Sequence, residues 1–208
     1  DGNLKVQSSG DTTTFYGKDN TIAGFQVKGA DGVVSMLDAD GNLLWQKSYG
    51  GALSDAFYLV TEANDGGFLA LGTTRSFGQG ATDLFIVKTD AAGNEQWTRT
   101  WGGADDDNPG SLIRMPDGYV ISSPQGTVGV TSRSFVARID NNGNSLWEHL
   151  YTNNDVCDLR IGAAAGDTLF AVGRSGGAAS FVRLDATNGG VISTKQYDGV
   201  GSDALFSL

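Results

Sequence analysis

The chain has 208 residues, of which 31 are glycine and 3 proline, and its formal net charge is -10. An acidic surface repels phosphate backbones, so no nucleic-acid partner is expected. One cysteine and one histidine exclude a disulfide framework and a metal site built from Cys and His. No apolar run approaches the roughly 18 residues that a membrane-spanning helix needs, so no membrane span is expected. The abundance of glycine beside Thr, Ser, Asn and Asp indicates many tight turns and predicts an all-β chain.

Four copies of one repeat follow each other along the chain. The first three read "LDADGNLLWQKSYGGALSDAFYLV", "TDAAGNEQWTRTWGGADDDNPGSLI" and "IDNNGNSLWEHLYTNNDVCDLRIG". The fourth, "LDATNGGVISTKQYDGVGSDALFSL", is degraded. The turn glycines of successive copies are 52, 50 and 46 residues apart: Gly41, Gly93, Gly143 and Gly189.

Each copy has the same order of elements. A strand ends in Asp, a short Asp/Asn/Gly turn follows, and a second strand carries a Trp and closes on an aromatic residue. A Gly/Asp loop then leads to an apolar strand and a second hairpin turn. Four short strands per repeat of about 40–50 residues predict the blades of a β-propeller. The Trp positions are Trp45, Trp97, Trp147 and, in the degraded copy, Ile192, and the closing aromatics are Tyr49, Trp101, Tyr151 and Tyr197.

The segment "SDALFSL" near residue 208 matches "SDAFYLV" at Ser54, and "DGNLKVQSSG" at residues 1–10 matches the continuation of that earlier strand. We therefore expect residues 203–208 to pair with the N-terminal segment, a terminal-strand (velcro) closure that brings the two termini side by side. The alternative is a fragment of a larger ring. The first blade carries an insertion, "FYGKDNTIAGFQVKGA". The sequence thus predicts one propeller domain, 1–208, with four blades of four antiparallel strands at approximately 203–208 plus 1–49, 55–101, 107–151 and 158–198.

The pattern D-x-x-G-N-x-x-W, followed by Y-G-G-x-x-x-D and D-G-G-F, resembles repeats of secreted or surface-anchored bacterial and archaeal β-propeller proteins. It is also similar to the quinoprotein-like blade motif, in which Asp, a turn glycine and Trp dock neighbouring blades. The resemblance covers the whole chain and implies a fold, not an activity. Quinoprotein dehydrogenase activity is not expected, since the chain has half the blades of those enzymes and no adjacent Cys pair. Low lysine content and an Asn/Thr/Gly-rich surface favour an extracellular or cell-surface location.

Two sets of aspartates are candidate cation ligands. The turn set lacks the further oxygens and the terminal Glu of a calcium loop, so we expect it to accept amide hydrogen bonds across the turns. It comprises Asp38, Asp40, Asp90, Asp140 and Asp185.

The second set lies six residues after each closing aromatic, where blade symmetry would gather carboxylates into a ring at one mouth of the channel. A ring of carboxylates is stable if it holds a hard cation such as Ca²⁺, or if each Asp accepts local amide bonds. Both interpretations are open. The set comprises Asp55, Asp107 and Asp203, with Cys157 at that offset in the third copy, flanked by Asp155 and Asp158.

No catalytic constellation stands out, because His149 and Cys157 have no triad-like context and the three glutamates form no obvious pair with an Asp. The strand aromatics could stack sugars or pack between blades. We therefore predict a non-enzymatic extracellular structural or binding module, including an assembly or filament subunit joined through terminal strand pairing. Its partners would be further copies, an extracellular protein or a glycan. The alternative is a small carbohydrate-binding or carbohydrate-active propeller that uses the channel mouth.

Overall fold

The structure is a computed structural model that describes residues 5–9, 12–16, 25–28, 32–38, 40–125, 133–152, 156–175 and 178–197. These residues form seventeen β-strands and contain no helix, which confirms the all-β prediction. In this part of the chain, accordingly, no helix is long and apolar enough to cross a membrane. The chain divides into two compact units, residues 1–101 and 102–208, and each unit holds two antiparallel sheets.

The first unit contains a five-stranded and a four-stranded sheet, each with its strands in chain order. The first sheet comprises β1 (Lys5–Ser9), β2 (Thr12–Tyr16), β3 (Phe25–Lys28), β4 (Val33–Leu37) and β5 (Leu43–Ser48). The second sheet comprises β6 (Asp55–Glu62), β7 (Phe68–Thr74), β8 (Asp83–Thr89) and β9 (Glu95–Trp101).

The second unit contains two four-stranded sheets, again in chain order. The third sheet comprises β10 (Ser111–Met115), β11 (Gly118–Gln125), β12 (Arg133–Asp140) and β13 (Ser145–Tyr151). The fourth sheet comprises β14 (Val156–Ala165), β15 (Thr168–Ser175), β16 (Ala178–Asp185) and β17 (Val191–Tyr197). Repeated four-stranded antiparallel sheets joined by hairpins are typical of a propeller.

The first sheet differs from the sequence prediction at its supposed insertion. Residues 15–30 include the end of β2 and all of β3, and β3 pairs with β4 through Phe25–Met36 and Lys28–Val33. The reason is local, since "FQVK" alternates apolar and polar residues and is a strand candidate in its own right. Because residues 1–10 match a strand of the later repeats, the sequence prediction placed a strand there and assigned β3 to the insertion. β1 is consequently an additional strand at the edge of the sheet, beyond β2.

The Asp/Asn turns that join the two outer strands of the first three sheets have one geometry. In the first, Asp38 Oδ1 accepts the backbone N–H groups of Asp40 (3.0 Å) and Asn42 (2.8 Å), while Oδ2 accepts the Asn42 side-chain amide (2.8 Å). The same bonds recur around Asp90 and Asp140. The turn glycines all have positive φ, which a residue without Cβ adopts cheaply. These angles are 86° at Gly41, 74° at Gly93, 75° at Gly143 and 77° at Gly189.

Each unit has its own apolar core between its two sheets. In the first unit β7 and β8 are buried along their whole length. The Phe57 and Phe85 rings stack with their centroids 5.5 Å apart, and Tyr49 meets Phe57 edge-on at 6.2 Å. The core of the second unit is mainly aliphatic, with Leu159 and Leu184 fully buried.

Side chains on the outermost strand of one sheet bind the outer turn of the next sheet in the same unit. Trp45 Nε1 donates to the Ala91 carbonyl (3.2 Å) and Tyr49 Oη to the Gly93 carbonyl (2.5 Å). In the second unit Trp147 Nε1 donates to Ala186 O (2.9 Å) and Tyr151 Oη to Gly189 O (2.5 Å). The expected packing of Trp between neighbouring sheets is therefore observed at both positions.

The degraded fourth copy requires one correction. Strand spacing in the sequence placed Ile192 at the Trp position, but β16 pairs Arg183 with Ser193, as β12 pairs Arg138 with Trp147. Ser193 is therefore the structural counterpart of Trp147. The shift arises because the turn after Asp185 closes on Gly190, one residue later than the turn after Asp140, which closes on Asn144.

The turn at Gly93, on which Trp45 docks, needs glycine for two reasons: its positive φ and the closeness of the Trp45 ring. Two variants separate the steric effect from the effect of φ. A Cβ on Gly93 would lie 2.8 Å from the Trp45 ring, whereas a Cβ on Gly41 would have no atom within 4 Å. Gly41→Ala should lower the free energy of unfolding by about 1 kcal/mol through backbone strain alone. Gly93→Ala should cost about 3 kcal/mol, since overpacking is added to strain. Urea unfolding measures both, and equal losses would show that the Trp45 contact is loose.

Candidate functional site

Asp55 occupies the start of β6 and is the best-defined member of the predicted carboxylate ring. It is 2% exposed. Its Oδ1 accepts the Thr74 hydroxyl, and its Oδ2 accepts the Ser76 hydroxyl (2.7 Å) and the Gly51 N–H (2.7 Å). Both oxygens are thus occupied by groups of the chain itself, which lie on β7, in the loop before β6 and in the loop after β7.

The Asp55 carboxylate holds together the loop after Tyr49. Leu53 N–H donates to the Ser76 hydroxyl (2.9 Å), and Arg75 N–H donates to the Ser54 carbonyl (3.0 Å). A Cβ on Gly50 would lie 2.3 Å from Asp55 Oδ2, so the loop can approach the carboxylate only with glycine there. The result is an open cavity of about 280 Å³ lined by residues 48–53 and Asp55.

The electrostatics of Asp55 favour the ionised form. Burial, the largest influence, raises the pKa of this carboxyl. The hydrogen bonds from Thr74, Gly51 and Ser76 together outweigh burial and bring the pKa below its ordinary value. A charged carboxylate saturated with donors stabilises the local structure without needing a metal ion.

Asp107 repeats part of this arrangement in the second unit. It is 2% exposed, and its Oδ2 accepts the Gly103 N–H at 3.0 Å. Gly51 and Gly103 each lie four residues before their Asp, in the shared "GGA" stretch. Asp55 and Asp107 therefore each accept a local backbone amide hydrogen bond. Such bonds were the sequence prediction's alternative to cation binding by this set of aspartates.

The remaining ring candidates are placed differently. Asp158 is partly exposed and sits with a φ of 54° at an irregularity of β14, where its Oδ2 is 3.6 Å from Arg174 Nε. Cys157 is buried. Asp155 and Asp203 lie outside the described residues. Within the described ranges no three His, Cys, Asp or Glu side chains lie together as metal ligands, so a calcium ring stays a prediction.

Asp83 is a second buried carboxylate at the same end of the second sheet, and the sequence did not single it out. It begins β8 opposite Thr74, is 2% exposed, and its Oδ1 has no hydrogen-bond partner among the described residues. Burial of a polar oxygen without a hydrogen-bond partner costs free energy. Asp83 thus differs from Asp55, whose two carboxylate oxygens both accept hydrogen bonds.

The sequence also missed two ion pairs that tie the inner hairpin turns to their sheets. Lys88 Nζ, on a side chain only 3% exposed, donates to both carboxylate oxygens of Asp65 at 2.8 Å. Arg138 forms the equivalent bidentate pair with Asp117 (2.8 and 2.7 Å). The available signal was a cation two residues before each turn Asp, as in "KTD" and "RID".

The strand aromatics that could have stacked sugars are largely engaged in docking. Tyr49 and Tyr151 are 6% and 5% exposed. Burial, with smaller contributions from Glu95 and Asp90, raises the pKa of Tyr49 to about 12. Burial also raises the pKa of Tyr151. Both phenols therefore remain protonated donors to the turn carbonyls throughout the physiological pH range. His149 is exposed, as expected, and its ring stacks on Tyr151 with centroids 5.7 Å apart.

Comparison with known proteins extends the fold assignment and leaves the activity open. No family model matches the sequence, and no curated protein sequence matches it. A structure of Hsv2 from Kluyveromyces lactis, with its complete loop 6CD, is similar to 93% of this chain at 13% identity and a TM-score of 0.53. The chain corresponds to 59% of the length of that Hsv2 structure. At this identity the likeness concerns the fold alone, and the protein is described by class as an all-β, propeller-like repeat protein.

Replacement of Asp55 should reveal its structural role and its pH dependence. Asp55→Asn retains the shape but loses the charge that three donors stabilise, so we expect a loss of about 2 kcal/mol at pH 7. Because the folded pKa is depressed, this contribution is present above the ordinary value of 3.8 and is lost as the pH falls through the lower folded pKa. The difference between wild type and variant in urea unfolding should therefore shrink below that pH. Asp106→Asn, at an exposed carboxylate, is the matched control, and a pH-independent difference would contradict this account.

The predicted calcium ring has a direct test. If the ring binds Ca²⁺, millimolar calcium should raise the melting temperature and release heat in calorimetry, since a ligand that binds only the folded state stabilises it. Asp203→Asn should then remove the shift while Arg133→Gln keeps it. No change in melting temperature at millimolar calcium would leave the amide bonds of Asp55 and Asp107 as the whole role of these residues.

Proposed function

We propose that the chain is a non-enzymatic structural module of the extracellular space or cell surface, in which the four sheets are propeller blades and residues 203–208 add a strand to β1. The observation that carries the proposal is the position of β1. Among the described strands it pairs with β2 alone and so forms the edge of the first sheet. An edge strand presents unpaired backbone groups that another strand can occupy.

The repeat indicates which segment fills that edge. Residues 203–208, "DALFSL", match "DAFYLV", which forms the greater part of β6 at the edge of the second sheet. That match predicts that residues 203–208 form a strand like β6, and their sequence contains the apolar residues Ala204, Leu205, Phe206 and Leu208. Addition to β1 would give the first sheet a sixth strand, because β2 and β3 already lie between β1 and β4.

The same pairing supports an assembly function. When residues 203–208 of one copy occupy β1 of the next, each contact leaves a further β1 and a further donor segment, which generates open chains. Within one copy the pairing closes a ring of four blades instead. The acidic surface and low lysine content, together with the resemblance to secreted propellers, support an extracellular or cell-surface location.

A carbohydrate-binding role is the second prediction from the sequence, and the exposed rings of Tyr58 and Phe77, 54% and 45% exposed, are the feature that favours it. Both lie in the second sheet or its loop, apart from the docked aromatics. Binding on a glycan array that is lost in Tyr58→Ala would support it, and absence of binding would leave the structural function ahead.

Removal of residues 203–208 tests the proposed assembly. The full chain should form concentration-dependent oligomers in light scattering, and the truncated chain should remain a monomer of unchanged circular dichroism. A peptide "GSDALFSL" should bind the truncated chain and, in excess, block oligomers of the full chain, while a scrambled peptide should do neither. A full chain that stays monodisperse and monomeric at high concentration would contradict the assembly function.

A further inference from the structure

The loops that precede β6 and β8 have related sequences. Residues 48–55 read "SYGGALSD" and residues 76–83 read "SFGQGATD", each with a glycine five residues before the aspartate that begins the strand. A Cβ on Gly50 would lie 2.3 Å from Asp55 Oδ2, and a Cβ on Gly78 would lie 2.4 Å from Asp83 Oδ2. In both loops the backbone therefore lies against the carboxylate at the end of the loop.

The two aspartates lie in one row across the second sheet. Asp55 pairs with Thr74 on β7, and Thr74 pairs with Asp83 on β8. Paired residues on neighbouring strands share a face, as do residues two apart on one strand. Phe57 and Phe85, two residues after the aspartates, stack on each other in the core of the first unit. Asp55, Thr74 and Asp83 therefore face the first sheet, and each is at most 2% exposed.

The hydroxyl donors of this region are directed to Asp55 and leave Asp83 without one. Thr74 and Ser76 donate their hydroxyl protons to Asp55. The Thr74 oxygen in turn accepts the N–H groups of Ser76 (3.0 Å) and Phe77 (3.2 Å). Because a hydroxyl has a single proton, Thr74 has none left for its other neighbour in the row. Asp83 Oδ1 is buried and accepts no hydrogen bond from the residues that the structure describes.

The repeated fold does not require a carboxylate at this position. Asp83 lies seven residues before the turn aspartate of its repeat, and the residues at the same distance in the third and fourth sheets are Arg133 and Ala178. Both of these also begin a strand, β12 and β16. The counterpart in the first sheet, residue 31, lies outside the described residues. Asp83 is therefore a buried acid that strand formation alone does not explain.

A hard cation accounts for such an acid. Buried charges in proteins are paired or coordinate metals, and Asp55 adds a second negative charge to the same row. Ca²⁺ binds carboxylate, backbone carbonyl and water oxygens in a flexible geometry, whereas Mg²⁺ requires near-octahedral geometry and keeps several waters. A buried carboxylate with loop backbone against it offers the ligands that suit Ca²⁺ better than Mg²⁺.

We propose that Asp83 is the anchoring ligand of a calcium site on the face of the second sheet that meets the first sheet. Its Oδ1 binds the ion, and backbone carbonyls of residues 76–82 and water complete the coordination. Asp55 contributes charge, while its hydrogen bonds hold the start of the same loop. The site differs from the calcium ring predicted from the sequence, because it needs neither Asp107 nor Asp203. It also goes beyond the proposed assembly and does not depend on it.

The effect of calcium on Asp83→Asn, which keeps the shape and removes the charge, tests the site. In a chelator the variant should melt at the wild-type temperature or above it, because it no longer buries a carboxylate without a partner. In 1 mM CaCl2 the wild type should gain about 5 °C or more and the variant should gain nothing, since only the wild type binds the ion in its folded state. Calorimetry should show heat of calcium binding that Asp83→Asn lacks.

Controls separate this site from the ring and from charge screening. Asp106→Asn, at an exposed carboxylate, and Asp203→Asn should both keep the calcium shift. Loss of the shift in Asp203→Asn, or an equal shift in NaCl of the same ionic strength, would overturn the site.

A constant difference between wild type and Asp83→Asn, in chelator and in calcium, would also overturn it, because Asp83 then has only a structural role. Asp83→Ala, which introduces the residue that β16 has at this position, provides a second variant with the same expected result if Asp83→Asn does not fold.

Discussion

The interaction on which each unit depends is the hydrogen bond from a buried strand aromatic to a turn carbonyl of the next sheet. A four-stranded antiparallel sheet with two apolar faces is not stable alone and must cover those faces with a neighbour. Tyr49 and Tyr151 fix that neighbour, because each donates to the carbonyl of a turn glycine. The missing side chain of that glycine leaves room for the ring of Trp45 or Trp147. The raised phenol pKa of Tyr49 follows from the same burial. Register, turn shape and core packing are thus mutually dependent in both units.

Carboxylates have a largely structural use in the described part of the chain. Asp38, Asp90 and Asp140 organise the outer turns, Asp65 and Asp117 pair with Lys88 and Arg138, and Asp55 closes the loop after Tyr49. A protein with an excess of acidic residues can therefore hold many of them without a cation, by supplying backbone amides and hydroxyls. Asp83 differs, because one buried oxygen is left without a partner among the described residues.

How far the sequence predicts the structure can be judged from particular residues. The glycines at 41, 93, 143 and 189 were identified from spacing, and all have the positive φ that the turn requires. The docking role of Trp45 and Trp147 also followed from the repeat. The strand at Phe25–Lys28 was missed because residues 1–10 resemble the corresponding strand of the other repeats and were assigned to its position. Ser193 was missed because the turn before it contains one extra residue, which shifts the register. Thr74 and Ser76 gave no signal, since a hydroxyl that saturates a distant carboxylate has no local sequence pattern.

The sequence by itself determined the all-β class, the repeat, the turn chemistry and the Trp that packs between sheets, because these depend on local backbone preference and on periodic apolar residues. Only the tertiary structure decided which donors occupy the Asp55 carboxylate, which cations pair with Asp65 and Asp117, and which turn each buried tyrosine reaches. These features join residues about 20 to 50 positions apart or depend on burial. Their partners are specified by the way the strands stack, which spacing along the chain does not encode.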